Sequence, residues 1–126
     1  MTTFFYDSYA VIEYVLGNKR FVPYFDKHEG LITVFNLAEV YYAMILYKGE
    51  EVADDFLLQL RHCLVEVPDE VLRNAMQFRA RNKELKLSYA DCIGYQVALE
   101  KKIKFLTGDR QFQNLPNVEY LGKESP

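Results

Sequence analysis

Apolar residues along the chain fall into short runs that alternate with longer stretches of helical periodicity. Residues 2–6 (TTFFY) and 104–107 (KFLT) are short and rich in aromatic or β-branched residues, which predicts strands. Residues 31–34 (LITV), 63–67 (CLVEV) and 118–121 are the other predicted strands. Strands of this length separated by helices indicate a parallel sheet covered on both faces, the α/β class.

The chain between these strands has the pattern of amphipathic helices. In one stretch, Leu37, Val40 and Met44 recur at helical spacing. The predicted helices cover residues 9–16, 20–27, 36–48, 50–62, 69–84 and 88–102, with a turn at Glu29-Gly30. We expect one domain over residues 1–122 and a short disordered tail over residues 123–126.

Composition narrows the class of protein further. With 126 residues, half of them hydrophobic, the chain can bury one core without cross-links. Cys63 and Cys92 lack metal-ligand spacing and are expected to be reduced thiols. No run approaches the ~18 apolar residues of a membrane span, and no secretion signal is recognisable, so we expect a cytoplasmic protein. The net charge of −3 argues against nucleic-acid binding unless acidic residues surround a cation.

Four acidic residues occupy positions that the predicted sheet should bring together. Asp7 follows the first strand, Asp109 follows the strand over residues 104–107, and Glu39 and Asp91 fall in the first turn of predicted helices. The carboxyl ends of parallel strands meet at one edge of a sheet, which is where α/β proteins bind ligands. The four carboxylates are therefore expected at the same edge.

Helix capping is the alternative explanation for each of these acids taken singly. Ser88-x-x-Asp91 and Asn36-x-x-Glu39 approximate capping boxes, and Asp7 and Asp109 are good N-cap residues. Together, however, close carboxylates repel by about 4 kcal/mol per pair at an effective dielectric of about 20. A hard divalent cation relieves that repulsion, and a set of carboxylates suits magnesium, with manganese possible, better than zinc.

Four segments carry a family resemblance that covers nearly the whole chain: YDSYAVIEYVLG, FNLAEVYYAMI, LSYADCIGYQVALE and KFLTGDRQF, around Asp7, Glu39, Asp91 and Asp109 respectively. In this order and spacing, the chain resembles the PIN-domain ribonucleases, most closely the VapC-type toxins of toxin–antitoxin pairs. The resemblance implies a PIN-like three-layer fold, with a five-stranded parallel sheet of order 3-2-1-4-5 flanked by helices. The expected site lies between the first and fourth strands.

The resemblance also implies a magnesium-dependent endoribonuclease that hydrolyses RNA phosphodiester bonds. Asp7 and Asp91 would hold the main ion, with Asp109 beside them and Glu39 acting directly or through a water. Similar proteins form homodimers and bind an antitoxin in the active-site groove, so both partners are expected. Tyr9 departs from the family, whose members more often carry a small or polar residue there.

Other residues are weaker candidates for contacts at the site. The hydroxyls of Ser8 and Thr107 would orient a carboxylate or a water, or else cap the local backbone. Arg110, next to Asp109, is the best candidate for a contact with phosphate. The basic runs are either substrate contacts or solvated helix faces: Arg79, Arg81, Lys83 and Lys86, and Lys101, Lys102 and Lys104.

Three other functions compete with the toxin interpretation. One is a PIN-type nuclease in RNA processing or turnover without an antitoxin, and another is a PIN-like binding module without catalysis. A receiver-like or phosphatase domain is disfavoured, because Tyr9, two residues after Asp7, is not an acid and no suitably placed lysine completes that chemistry.

Overall fold

The computed structural model describes residues 1–123, so residues 124–126 of the predicted tail over residues 123–126 lie outside this range. The helices and strands, in chain order, are β1 Thr3–Tyr6, α1 Ser8–Val15, α2 Val22–Asp26, β2 Glu29–Leu31, α3 Val34–Lys48, α4 Glu50–Leu60, α5 Asp69–Arg81, α6 Tyr89–Lys101, β3 Lys104–Thr107 and β4 Val118–Tyr120. Three-residue 3₁₀ turns lie at Arg61–Cys63, Lys83–Leu85 and Arg110–Phe112.

The described strands form one parallel sheet in the order β2-β1-β3-β4. This confirms the predicted α/β class, with the first strand beside the strand that precedes Asp109. The predicted fifth strand, residues 63–67, is wrong. Only Leu64 bridges to Ile32, with Ile32 N donating to Cys63 O at 2.9 Å. The 3₁₀ turn before this segment and Pro68 after it leave little extended chain to pair.

A second correction concerns the start of α3. Thr33 caps this helix, since its hydroxyl accepts from Asn36 N at 3.4 Å while Asn36 Oδ1 accepts from Thr33 N at 3.2 Å. The helix therefore begins at Val34, which excludes the predicted strand over residues 31–34. Glu39 consequently lies in the second turn, and the predicted capping box of Asn36 with Glu39 is wrong.

The strand β2 replaces the turn predicted at Glu29-Gly30. It pairs with β1 in the register Thr3 to Glu29 and Phe4 to Gly30. The ring of Tyr6 covers Gly30 so closely that a Cβ there would lie 1.7 Å from Tyr6 Cε2. Only glycine fits this position. A segment whose glycine would otherwise indicate a turn can therefore form a strand beside β1.

Side chains of the sheet belong to two separate apolar clusters, because successive strand residues point to opposite faces. Phe4 and Tyr6 pack with residues of α1, α3 and α4 on one face. Phe5 and Phe105 pack with α5 and α6 on the other face. At Gly94 a Cβ would lie 2.6 Å from the Phe5 ring, so α6 approaches the sheet closely. The sheet is thus covered on both faces, and the helix starts are fixed at its carboxyl edge.

Two further expectations concern the thiols and the membrane. Cys63 and Cys92 are both free, Cys92 fully buried and Cys63 partly so, as expected from their spacing. Among residues 1–123, no helix combines the length and the apolar character that crossing a bilayer requires.

Candidate acidic active site

Asp7 lies at the carboxyl end of β1, where its backbone N–H donates to Leu106 O at 3.0 Å. Its side chain is 1% exposed, and Oδ2 accepts from the Thr107 hydroxyl at 2.6 Å. The other oxygen, Oδ1, is buried without a hydrogen-bond partner. Asp7 occupies the N-cap position of α1, yet its side chain makes no cap hydrogen bond. Capping therefore does not explain this acid.

Thr107 connects Asp7 with Asp109. While its hydroxyl donates to Asp7, the same oxygen accepts from Asp109 N at 3.0 Å. Asp109 Oδ1 in turn accepts from Gln111 N at 2.9 Å, which caps the 3₁₀ turn. Asp109 is half-buried and does act as a cap, as the alternative explanation allowed.

Glu39 reaches the site from the second turn of α3. Its Oε1 accepts from the Ser8 hydroxyl at 2.6 Å, and the Ser8 oxygen accepts from Asn36 Nδ2 at 3.2 Å. Asn36 is fully buried and is itself bonded to Thr33, whose hydroxyl donates to Asn36 Oδ1 at 2.7 Å. This chain of hydrogen bonds orients the Glu39 carboxylate. Sequence reasoning missed the part played by Asn36; its only signal was a polar residue in an apolar stretch one turn before Glu39.

Asp91 is the third residue of α6 and belongs to a complete capping box. Its backbone N–H donates to the Ser88 hydroxyl at 3.0 Å, and its Oδ2 accepts from Ser88 N at 2.8 Å. The Ser88 hydroxyl also lies 3.5 Å from Glu39 Oε2, at the limit of a hydrogen bond. Asp91 is therefore a cap residue, and Ser88 lies between its carboxylate and that of Glu39.

The acids of this edge affect one another electrostatically. Burial, followed by repulsion from Asp91, raises the pKa of Asp7 well above its ordinary value, and the bond from Thr107 only partly opposes this; Asp109 and Glu39 raise it further. Burial also raises the pKa of Asp91, against the bonds from Ser88 and with added repulsion from Glu39 and Asp109. The other three predicted acids thus all lie close enough to Asp7 to raise its pKa.

The donor set can be compared with the needs of a metal ion. Within residues 1–123, no three Asp, Glu, His or Cys side chains form a ready-made group that could hold a metal. The Oδ1 atom of Asp7 is nevertheless a buried carboxyl oxygen without a hydrogen-bond partner. Magnesium takes one or two carboxylates and keeps several waters, so a hydrated ion fits this open arrangement better than a closed ligand cage does. The residues present are therefore compatible with a hydrated divalent cation, though not with a closed ligand cage.

Arg110 lies on the wall of a cavity beside this edge. The cavity has a volume of about 660 Å³, and Tyr9, Asp109, Arg110 and Lys123 are among the residues that line it. Arg110 is exposed. Its side chain is therefore accessible from the same cavity as Asp109.

Comparison with known proteins assigns the family. The sequence profile of the PIN domain matches residues 5–118, so the chain belongs to the PIN-domain family. No curated protein matches the sequence significantly.

Solved structures with the same fold include proteins of toxin–antitoxin systems. VapC20 of Mycobacterium tuberculosis, described as a toxin that cleaves the sarcin–ricin loop, is 17% identical, with 92% of this chain and 97% of that chain covered and a TM-score of 0.79. VapBC2 of Rickettsia felis, bound to a promoter DNA fragment, is 11% identical and has a TM-score of 0.74. The match covers 98% of this chain and 100% of that chain. DNA-bound VapBC of Salmonella typhimurium is 17% identical and has a TM-score of 0.68. The match covers 97% of this chain and 98% of that chain.

Proposed function

We propose that this PIN-domain protein is a magnesium-dependent endoribonuclease, the toxin of a VapBC-type toxin–antitoxin pair, acting in the cytoplasm. The observation that carries the proposal is the Asp7 carboxylate. It is buried, does not cap its helix, and has one oxygen without a partner beside three other acids. A purely structural acid would be paired, because burying an unpaired charge is costly.

Each acid has a distinct task in this proposal. Asp7 and Asp91 would hold the ion, with Asp109 beside them and Glu39 acting directly or through a water. When bound, a divalent cation lowers the pKa of a coordinated water and stabilises negative charge on the phosphate. Thr107 holds Asp7 Oδ2 and so leaves Oδ1 directed to a ligand. Ser8 orients Glu39 through its 2.6 Å bond.

The substrate and the toxin role are supported by the relatives. The likeness to VapC20, described as an RNA-cleaving toxin, favours RNA as substrate. The likeness to chains of VapBC complexes favours an antitoxin partner. Arg110, exposed beside Asp109, is positioned to contact a substrate phosphate.

The decisive experiment compares Asp7→Asn and Asp91→Asn with the parent protein in magnesium-dependent RNA cleavage. Asparagine caps a helix nearly as well as aspartate but is a poor ligand for magnesium. We expect cleavage to fall more than about 100-fold, since replacing outer partners of metal ligands alone costs 10- to 100-fold. Asp69→Asn is the matched control, because Asp69 is an exposed acid in the first turn of α5.

Circular dichroism would establish that the variants are folded. Folded but inactive site variants beside an active Asp69→Asn would support the proposal. Full activity of folded Asp7→Asn would remove Asp7 from the catalytic site and overturn the proposed metal chemistry. A parent protein unable to cleave RNA would overturn the nuclease proposal and favour a PIN-domain binding module.

The proposed homodimer and antitoxin both need an apolar surface. Tyr42 and Leu46 lie one turn apart on α3 and are 64% and 65% exposed, and Leu58 on α4 is 67% exposed. Exposed aromatic and aliphatic residues of this kind are typical of interface cores. Tyr42→Lys combined with Leu46→Glu should convert a dimer to a monomer in light scattering.

A neighbouring gene for a small protein that binds this chain would identify the antitoxin. The absence of such a gene would favour a nuclease of RNA turnover.

A further inference from the structure

A basic cleft lies beside the acidic edge, between the end of α5 and the start of α6. Its volume is about 90 Å³, and it is lined by Arg79, Asn82, Lys83, Lys86 and Leu87, with no acid among them. The three cationic residues come from a helix, a 3₁₀ turn and a loop, and all three are exposed. A solvated helix face would spread its charges along one element, whereas these charges converge on one cavity.

Tyr89 is an exposed aromatic residue that contacts Arg79, one of the residues lining the cleft. It is the first residue of α6 and is 61% exposed. The Arg79 guanidinium lies 4.4 Å from the centre of the ring, and Arg79 Nε donates to Leu87 O at 2.9 Å. One face of the ring is therefore covered by a cation that is itself fixed to the backbone. A ring held in place in this way loses less conformational entropy when it stacks on a ligand.

The peptide chain connects this region to the proposed catalytic acids. Ser88 lies between Leu87, which bonds Arg79, and Tyr89. The Ser88 N–H donates to Asp91 Oδ2 at 2.8 Å, and its hydroxyl lies 3.5 Å from Glu39 Oε2. A polyanion reaching the acids from this side would meet the cleft cations and the Tyr89 ring first.

We propose that the cleft and Tyr89 form a subsite for single-stranded RNA next to the cleaved bond. Lys83 and Lys86, with Arg79, bind a backbone phosphate, and an unpaired base stacks on the Tyr89 ring. This inference rests on the proposed nuclease function and adds that the substrate is unpaired at this position. Proteins bind single strands in this way, by combining a positive groove with aromatic platforms.

The phosphate half of the subsite is tested by removing two charges. Lys83→Gln with Lys86→Gln is compared with Lys101→Gln and Lys102→Gln, at the other end of α6. The pairs are matched, since each removes two exposed lysines, one of which has a left-handed backbone: φ is 54° at Lys86 and 59° at Lys102. The probe is a single-stranded RNA of about 12 nucleotides, within the range that one small domain covers. Binding is measured in EDTA so that the RNA stays intact.

Salt dependence gives the expected size of the charge effect. Losing the contact with one phosphate should reduce the slope of log affinity against log salt by about 0.7 for the Lys83 and Lys86 variant. The Lys101 and Lys102 variant should keep the parent slope. Equal slopes in both variants would overturn the assignment of the cleft to phosphate. Stronger competition by polyglutamate than by RNA would also overturn it, because it would indicate an acidic protein as the ligand.

The base half of the subsite is tested at Tyr89. Tyr89→Leu should weaken binding of the RNA by about five- to 100-fold, while Tyr89→Phe should bind like the parent. An oligomer of the same length with abasic sites keeps its phosphates and should bind Tyr89→Leu and the parent equally. Unchanged binding of the base-bearing RNA to Tyr89→Leu would overturn the stacking role.

Cleavage assays separate this subsite from the nuclease proposal itself. If the subsite is wrong but the protein is a nuclease, Tyr89→Leu and the two-lysine variant will cleave RNA like the parent while Asp7→Asn stays inactive. If the nuclease proposal is wrong, the parent will not cleave RNA under any condition, whatever the binding results.

Discussion

The starts of α1 and α6 both place an acid at the same edge of the sheet, but they use it in opposite ways. At α6, Ser88 and Asp91 exchange both hydrogen bonds of a capping box. At α1, Asp7 holds the N-cap position without capping, and its Oδ1 has no partner. A cap stabilises a helix by about 1 kcal/mol, whereas an unpaired buried carboxylate destabilises the fold. The acid at the start of α6 therefore contributes to helix stability, whereas the acid at the start of α1 keeps one oxygen free for the ion proposed above.

The largest effect expected from this difference is stabilisation by magnesium or manganese. At about 100 times its dissociation constant, an ion that binds only the folded protein raises the free energy of unfolding by about 2.7 kcal/mol. Asp7→Asn should lose most of this gain, and Asp69→Asn should keep it. Urea denaturation with and without magnesium measures both, and an equal gain in Asp7→Asn would remove Asp7 from the site.

Without divalent ions, Asp7→Asn should be more stable than the parent at neutral pH, by about 2 kcal/mol, because it removes the unpaired negative charge of a buried acceptor. The pKa of Asp7 is raised from its ordinary value of 3.8, so the folded protein keeps a proton that the unfolded chain has released. The free energy of unfolding of the parent therefore falls as pH rises from 3.8 to the raised pKa. Asparagine does not titrate, so the variant's urea denaturation curves should lack the part of this fall that is due to Asp7 and keep the part due to Asp91, whose pKa is also raised. An identical pH profile would contradict the account.

Thr107→Val should destabilise the protein by about 1.5 kcal/mol when Asp7 is charged, because it removes a hydrogen bond to an ionised acceptor. Thr107→Ser keeps the hydroxyl and is the control. A double-mutant cycle with Asp7→Asn, measured in urea with magnesium present, gives the coupling between the two side chains. Additive effects would mean that the 2.6 Å contact contributes nothing to stability.

The smallest effect is expected at α6. Ser88→Ala removes the cap hydroxyl and should lower the free energy of unfolding by about 1 kcal/mol, while Ser88→Thr should retain most of it. Thermal denaturation in EDTA is the measurement. If Ser88→Ala were neutral, the capping box would not distinguish α6 from α1.

Much of the architecture could be predicted because local signals agree with the tertiary structure. The KFLT segment is a strand at the predicted residues, and Ser88-x-x-Asp91 marks the start of α6. The α3 start was misplaced, because Thr33 caps it and Asn36 takes the third helical position, a pairing weaker in sequence than the usual Ser or Thr with Glu. The second strand was predicted at residues 31–34 and instead lies at Glu29–Leu31, because a glycine between Glu29 and Leu31 is a turn signal unless the Tyr6 ring covers it.

The candidate site was predictable only as a set of positions. The ends of parallel strands predict that Asp7 and Asp109 approach each other. The pKa of Asp7 is raised by all three other acids, and that of Asp91 by Glu39 and Asp109. Which acids cap and which do not depends on contacts between distant segments, such as Thr107 with Asp7. The hydrogen bonds from Asn36 to Ser8 and from Ser8 to Glu39 also join distant segments, so no local sequence pattern predicts them.

The bond from Thr107 to Asp7 joins residues 100 positions apart. During synthesis, which proceeds from the N-terminus, β1 leaves the ribosome long before β3 does. The nascent chain can pair β1 with β2, but the edge that holds Asp7 stays incomplete until β3 arrives. A partly made chain therefore lacks the assembled acids, and any nuclease activity must wait until β3 has left the ribosome.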